Sequence, residues 1–157
     1  MISFEKDLAK KQLHVVREFK APIAKVWSAW TQAELLDKWW GPRPWNAVTK
    51  IMEFKPGGQW LYSMVGPAGE VHWSNTNFIS VGTNTFEATS FFSDENGEQA
   101  PGFSPSNWHV AMKQEGDKTI VNVTLTFQSE ADLEKLVAMG FQGGFTIGLN
   151  QLEELLG

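Results

Sequence analysis

The first regular patterns along the chain are a short strand-like segment and an amphipathic helix. The segment from Leu13 to Lys20, LHVVREFK, is bounded by Ala21-Pro22, which predicts a first strand. Pro22 suits the first turn of a helix, where its missing N–H is not needed. The helical spacing i, i+3, i+4, i+7 follows at Ile23, Val26, Trp27 and Trp30. The pattern therefore predicts a strand and then a short helix.

A second short helix is predicted directly after the first. Thr31 and Glu34 have the spacing of a capping box, which marks a helix N-terminus. Gly41-Pro42 ends this helix. Its apolar residues are Leu35, Leu36, Trp39 and Trp40. The tryptophans of both short helices have core spacing, so we expect them in the core rather than against a ligand.

From Trp45 to Phe127 the pattern changes to short alternating segments separated by tight turns. The predicted strands cover residues 45–55, 59–65, 71–81, 85–93, 106–114 and 118–128. In the last of these, Val121, Val123, Leu125 and Phe127 alternate with polar residues, which gives one dry face and one wetter face. Because no helix intervenes, the pattern is typical of an antiparallel meander.

The C-terminal region predicts one long helix. Ser129 can cap the amide of Asp132. An apolar stripe then runs to the C-terminus through Leu133, Val137, Phe141, Phe145, Leu149, Leu152 and Leu156. The predicted fold class is α+β: a curved antiparallel sheet of about seven strands wraps around the long helix, with two short helices after the first strand. No repeat or low-complexity tract interrupts residues 1–157, which we interpret as a single domain.

Composition narrows the functional classes. The 157 residues are 42% hydrophobic, too apolar for a disordered chain, yet no run approaches the roughly 20 residues that span a bilayer. A net charge of −5 argues against nucleic-acid binding, and the N-terminal sequence does not suggest a signal peptide. The absence of cysteine excludes disulfides and thiolate sites, and we expect a cytoplasmic protein. The unusual feature is 8 Trp and 11 Phe against a single Tyr.

The segment from Arg17 to Pro42 resembles the opening signature of the START-like (SRPBCC) superfamily. More narrowly, it is similar to the family named after the C-terminal domain of the activator of heat-shock-protein-90 ATPase. The resemblance rests on Ala21-Pro22, on Val26-Trp27 with Ala29-Trp30-Thr31, on Trp39-Trp40-Gly41-Pro42, and on the turn Pro56-Gly57-Gly58. Two positions depart from the family pattern: Val81-Gly82-Thr83-Asn84 replaces a Pro-Pro-Glu stretch, and Gly144-Phe145 replaces a Gly-Trp pair.

The resemblance implies a helix-grip fold with a cavity between the sheet and the long helix, where many relatives bind hydrophobic small molecules. We expect ligand contacts from the strands and the last helix. The candidate ligand-binding residues are Trp60, Tyr62, His72, Trp73, Asn75, Phe91, Trp108, Met112, Phe141, Gly144 and Phe145. We also expect the long connection from Asp94 to Pro105 to border the cavity mouth, with Phe103 as its apolar contact.

Three glycines recur every four residues in the last predicted helix. Gly140, Gly144 and Gly148 lie on one helical face and together cost about 3 kcal/mol of helix propensity. Close packing of the helix on the sheet is one explanation. A floor for a bound ligand is another, and a kink near Gly143-Gly144 is a third.

Catalytic and metal motifs are sparse. His14, His72 and His109 fall in separate predicted strands without metal-ligand spacing, so no metal site is expected. His72 is the best acid–base candidate, against the simpler interpretation of an exposed strand histidine near the Gly69 turn. No nucleophile elbow, phosphate loop or dinucleotide fingerprint occurs, and no cofactor is expected.

The leading interpretation is a protein that binds a hydrophobic or aromatic small molecule, lipid-like or polyketide-like, in this cavity. One alternative is a cyclase-, aromatase- or hydrolase-like enzyme that uses His72, Tyr62 or a strand Asn. A second alternative is a co-chaperone-like regulator of a heat-shock-protein-90 ATPase, which would make a chaperone the partner. Neither nucleic-acid binding nor membrane insertion is expected.

Overall fold

The computed structural model describes residues 2–157, with eight strands and four helices in that range. The strands are β1 (Ile2–Asp7), β2 (Gln12–Phe19), β3 (Asn46–Met52), β4 (Gln59–Val65), β5 (Val71–Gly82), β6 (Thr85–Ser93), β7 (Ser106–Glu115) and β8 (Lys118–Thr126). The helices are α1 (Ile23–Thr31), α2 (Ala33–Trp39), α3 (Glu130–Ala138) and α4 (Phe141–Leu156).

All eight strands form one antiparallel sheet in the order β1-β2-β8-β7-β6-β5-β4-β3. The α+β helix-grip architecture predicted from the sequence is confirmed. The sheet has one strand more than the expected seven or so, because β1 pairs with β2 from Ile2↔Arg17 to Asp7↔Gln12. The sequence of β1 is short and charged, so its identity as a strand depends on this pairing.

Alternation along the central strands sets which face of the sheet is covered. In β2 and β8 every second residue is buried, as in Val15 and Val123, both at most 1% exposed. These apolar side chains form one core cluster with α4 residues such as Leu149 and Leu152. Burial of two apolar faces against each other is what stabilises the sheet–helix pair.

Two polar side chains fasten α4 within this core. Arg17 of β2 is only 6% exposed and donates a 2.9 Å hydrogen bond to Asn150 Oδ1. Gln151 Nε2 donates to the carbonyls of Trp39 and Gly41 at 2.9 and 2.8 Å. Buried polar groups that are satisfied in this way fix orientation rather than add much net stability.

The start of α2 differs from the sequence prediction. The Thr31 hydroxyl donates 2.8 Å back to the carbonyl of Trp27, inside α1. The N-cap of α2 is Gln32, which makes no side-chain capping bond. The predicted Thr31–Glu34 capping box is therefore wrong, because Thr31 is the last residue of the preceding helix. Gln32 has extended backbone angles and separates the two helices.

The C-terminal helix is interrupted. Ser129 accepts a hydrogen bond from the amide of Asp132 at 3.1 Å, as predicted. The single long helix predicted from Ser129 onward is instead α3 and α4, separated at Met139 and Gly140. Gly140 has φ +88°, a left-handed conformation that L side chains rarely adopt, and this ends the first helix. The break lies one turn before the kink considered at Gly143-Gly144.

Candidate ligand cavity

The principal cavity has a volume of about 260 Å³ and lies between the sheet, α3, α4 and the segment before β7. Its lining is predominantly aromatic and aliphatic, with serine hydroxyls, one acidic side chain and one basic side chain. The lining residues are Trp40, Pro42, Tyr62, Met64, Ser74, Ser90, Phe91, Phe92, Phe103, Ser104, Ser106, Trp108, Phe127, Asp132, Lys135, Leu136, Phe141, Gly144 and Phe145. An apolar enclosure with a few placed polar groups is typical of small-molecule sites.

Tyr62 is the most deeply buried ionisable group in this lining. Its hydroxyl accepts a 3.0 Å hydrogen bond from Trp40 Nε1, and its ring stacks on Trp60 with centroids 4.1 Å apart. Burial raises the pKa of Tyr62 above 10.0, against the smaller lowering effects of hydrogen bonds from Trp40 and Ser74. The phenol therefore keeps its proton at neutral pH and can serve as a hydrogen-bond donor.

The segment between β6 and β7 closes one side of the cavity. Phe103 packs edge-on against Phe92, with centroids 4.9 Å apart, and both rings line the cavity. Lys135 of α3 lies over the Phe103 ring at 4.0 Å and donates to the carbonyl of Gly102. The expected position of this connection beside the cavity is confirmed, and a cation–π contact with a hydrogen bond attaches it to α3.

A smaller chamber of about 30 Å³ adjoins the principal cavity. Trp40, Ser90 and Trp108 line both spaces, which are therefore neighbours. The other residues that line this inner chamber are Trp30, Leu36, Trp60, Thr76, Phe78, Phe86 and Ala88. The rings of Trp40 and Trp108 are 5.9 Å apart between centroids. Both members of this tryptophan pair therefore border the inner chamber.

Most of the candidate residues chosen from the sequence lie at these two spaces. Tyr62, Phe91, Trp108, Phe141, Gly144 and Phe145 line the principal cavity. Trp60 lines the inner chamber, where its Nε1 donates 3.0 Å to Thr49 Oγ1. These residues come from three strands and one helix, so the fold brings them together from distant parts of the sequence.

Four candidate residues do not line either space. His72 is exposed at the end of β5, with its ring 5.6 Å from that of Trp45. Trp73 and Asn75 alternate with the cavity residue Ser74 and therefore point to the opposite face of the sheet. Asn75 is buried there, donating to Gln59 and to the carbonyl of Gly97.

Met112, the fourth of these residues, is 7% exposed and belongs to the main core cluster rather than to the cavity lining. Its partner in the adjacent strand is Val121, which is 1% exposed. Met112 thus lies on the covered face of the sheet, as strand alternation predicts. Its side chain packs among core residues there and does not reach the cavity.

The glycine row has three separate roles. Gly144 lines the cavity, and a Cβ added there would meet only Pro42, at 3.8 Å. A Cβ on Gly148 would lie 3.3 Å from the backbone carbonyl of Trp39, so this glycine permits close packing of α4 on α2 rather than on the sheet. Gly140 separates α3 from α4. Gly143 has open space around its Cβ position and is exposed.

Sequence reasoning missed several lining residues. Trp40 was expected in the core, yet it lines both spaces and contacts Tyr62. Asp132, Lys135 and Leu136 of α3 also line the cavity. Their i, i+3, i+4 spacing places them on one helical face, and this signal was available in the sequence. The apolar stripe through Leu133 marks a different, core-facing side of the same helix.

The chemistry of the lining favours binding over an obvious reaction. None of the three histidines lines either space, and Asp132 is the sole carboxylate in the described lining of the principal cavity. Within residues 2–157, no group of three or more His, Asp or Glu side chains is arranged to hold a metal ion. No helix in that same range is both long and apolar enough to cross a membrane.

Residues 20–157 match the family model described as Activator of Hsp90 ATPase homolog 1-like protein. The chain belongs to this family. The match begins just before α1 and covers the remainder of the fold, including every residue of both cavity linings. Family membership also confirms the START-like superfamily assignment made from the sequence motifs.

Solved structures of the same fold support this assignment. Protein Ms6760 from Mycobacterium smegmatis is 25% identical and has a TM-score of 0.92, over 100% of this chain and 98% of that one. A protein from Arthrobacter aurescens is 28% identical with a TM-score of 0.92, over 98% and 90% of the two chains. One from Staphylococcus epidermidis is 27% identical with a TM-score of 0.86, over 98% and 93%. Comparison with curated proteins gives no match.

Proposed function

We propose that this protein binds a hydrophobic or aromatic small molecule in the cavity between the sheet and the C-terminal helices. The observation that carries the proposal is a cavity of about 260 Å³ with a predominantly apolar lining in which aromatic rings are the largest group. Burial of apolar ligand surface yields about 25 cal/mol per Å², so such a space favours apolar guests. The family's helix-grip fold is compatible with this role.

The polar groups of the lining support a ligand with a preferred orientation. Tyr62 offers a phenolic hydroxyl from one wall, held by Trp40 Nε1 at 3.0 Å. Asp132 and Lys135 lie on α3 at another wall. A ligand with an apolar body and one polar group would bury the body among the rings and direct the polar group toward one of these walls.

The test is binding of the apolar probe isopropenylnaphthalene, followed through quenching of tryptophan fluorescence. We expect saturable binding to the native protein and a loss of at least about tenfold in affinity in Gly144→Leu, because the new side chain occupies the cavity. The matched control is Gly143→Leu, which adds the same side chain one residue away in open space and should bind as the native protein does. Equal affinity in all three proteins would contradict the proposal.

Native mass spectrometry of the purified protein complements this titration by revealing any co-purifying small molecule. The same preparation can be assayed for the two alternatives. Turnover of an aromatic ester or polyketide that is lost in Tyr62→Phe would indicate an enzyme. Stimulation of a heat-shock-protein-90 ATPase that persists in Gly144→Leu would indicate a chaperone role independent of the cavity.

A further inference from the structure

Trp30 contains a buried hydrogen-bond donor that the protein leaves unused. The residue is 4% exposed, and its Nε1 has no hydrogen-bond partner among residues 2–157. By contrast, the indole nitrogens of Trp39, Trp40, Trp60 and Trp108 all donate to protein oxygens. An unsatisfied buried N–H costs about 1–3 kcal/mol, and native proteins rarely keep one without a reason.

Trp30, the residue that carries this unused donor, lines the inner chamber. A second donor is available in the same wall. Thr76 Oγ1 donates to Ser90 Oγ at 3.3 Å, which leaves the Ser90 proton free to make a further bond. Thr76 and Ser90 both line the chamber, and the remaining lining is apolar apart from the bonded indole nitrogens of Trp40, Trp60 and Trp108. The chamber therefore presents hydrogen-bond donors within an otherwise apolar enclosure.

The size and charge of the chamber restrict what it can accept. Its volume of about 30 Å³ exceeds the minimum of about 10–15 Å³ that a water-sized group needs, but it is too small for an aromatic ring. No charged side chain occurs in its described lining. A carboxylate or ammonium group would lose its hydration without gaining an ion partner, so a neutral acceptor fits best.

We infer that the inner chamber is a subsite for a neutral carbonyl oxygen of the ligand, which accepts hydrogen bonds from Trp30 Nε1 and Ser90 Oγ. This inference rests on the proposed function and narrows its ligand class to apolar ketones, esters or amides. The ligand body fills the principal cavity and its carbonyl oxygen enters the inner chamber, because Trp40, Ser90 and Trp108 line both spaces and make them neighbours.

The experiment compares two probes of nearly identical shape. Acetylnaphthalene has a C=O group where isopropenylnaphthalene has C=CH₂. In a proton–nitrogen correlation spectrum, each tryptophan indole N–H gives its own signal, and the Trp30 signal is the one lost in Trp30→Phe. We expect acetylnaphthalene to move this signal downfield, whereas isopropenylnaphthalene leaves its hydrogen-bonding shift unchanged. We also expect the ketone to bind about tenfold more tightly.

Variants connect the preference for the ketone to the two donors. Ser90→Ala and Trp30→Phe should each reduce the affinity ratio of ketone to hydrocarbon by several-fold. Trp73→Phe is the control, because its indole lies on the opposite face of β5 and should leave the ratio unchanged. If Trp30→Phe fails to fold, the affinity ratio in Ser90→Ala and the spectrum of the native protein still test the subsite. The Trp30 signal is then assigned by through-bond experiments.

The outcomes separate the two proposals. Equal affinity for both probes with an unmoved Trp30 signal overturns the subsite but leaves the proposed function intact. The same holds if the ketone perturbs the Trp40 indole signal instead, since the carbonyl would then lie beside Tyr62 in the principal cavity. A Trp30 signal already shifted by a resident water, and unchanged by the ketone, also overturns the subsite. Failure of both probes to bind contradicts the proposed function and the subsite together.

Discussion

The indole Nε1 of Trp40 donates a 3.0 Å hydrogen bond to the hydroxyl of Tyr62. The bond joins the C-terminal end of α2 to β4 across the cavity wall, with the two rings perpendicular at 6.4 Å. Because the phenol oxygen accepts this bond, its own proton is directed elsewhere and can be donated to a ligand. A residue of the short helices thus orients a polar group of the cavity.

The titration of Tyr62 can be observed directly, because it is the only tyrosine in the chain. We expect tyrosinate absorbance of the folded protein to appear with a midpoint above 10.0, since burial raises the pKa of Tyr62. In Trp40→Phe the midpoint should rise further, because a hydrogen bond that lowers the pKa has been removed. Tryptophan fluorescence confirms that the protein remains folded during the titration. A folded-state midpoint at or below 10.0 contradicts the prediction.

The same shift predicts alkaline loss of stability. The contribution of Tyr62 is fully present below the ordinary value of 10.0, where both folded and unfolded chains hold the proton. As the pH rises from there through the raised folded pKa, the unfolded chain releases its proton first, so the free energy of unfolding falls. Urea unfolding should show this decline in the native protein and a weaker decline in Tyr62→Phe. Identical slopes in the two proteins would refute the assignment to Tyr62.

Leucine substitutions should distinguish two glycines on one face of α4. Gly148→Leu should lower the free energy of unfolding by about 1–3 kcal/mol or more, because its Cβ position is already 3.3 Å from the Trp39 carbonyl. Gly144→Leu should change it by less than about 1 kcal/mol, since a better helix former enters open cavity space. Urea unfolding measures both. Similar destabilisation of the two variants would argue against Gly144 as cavity floor.

Alanine substitutions at two exposed glycines should have opposite signs. Gly143→Ala should stabilise the protein by about 0.5–1 kcal/mol, because it replaces glycine within a helix where a Cβ meets nothing. Gly140→Ala should destabilise it by about 1–2 kcal/mol, because φ +88° forces the new Cβ toward the following carbonyl. Thermal unfolding of both variants is the measurement, and a stabilising Gly140→Ala would mean that α3 and α4 are continuous in solution.

Lys135 should govern how firmly the segment from residue 94 to residue 105 is held. Lys135→Ala removes both the donor to the Gly102 carbonyl and the cation over the Phe103 ring. We expect faster amide exchange in this segment and a several-fold faster dissociation of isopropenylnaphthalene. Lys113→Ala is the control, since that exposed lysine pairs with Glu115 on β7, away from this segment. Equal exchange rates in both variants would contradict a role for Lys135 in holding the segment.

Much of the fold could be read from local pattern. The helical spacing of Ile23, Val26 and Trp30, and the alternation from Val121 to Phe127, determined the type and buried face of their elements. Ser129 marked the start of α3 through its own side chain. These signals are local, because side-chain periodicity and capping depend on residues within one or two turns.

Part of the cavity could be read in the same way. Tyr62 and Trp108 were found because strand alternation places them on the covered face, and Phe141 and Phe145 because they share a helical stripe. Met112 shows the limit of this reasoning. Strand alternation places its side chain on the covered face of the sheet. Whether such a side chain packs in the core or lines the cavity depends on how far α4 extends over the sheet.

Only the tertiary structure decided which distant groups meet. β1 became a strand through pairing with β2, and Trp40 became part of a binding wall through contact with Tyr62. Asn75 is buried because the turn at Gly97 covers its face of the sheet. The sequence around Asn75 does not predict that this face is covered. Sequence periodicity divides an element into faces, but what covers each face depends on segments far away in the chain. The unpaired N–H of Trp30 is visible only once all those segments are in place.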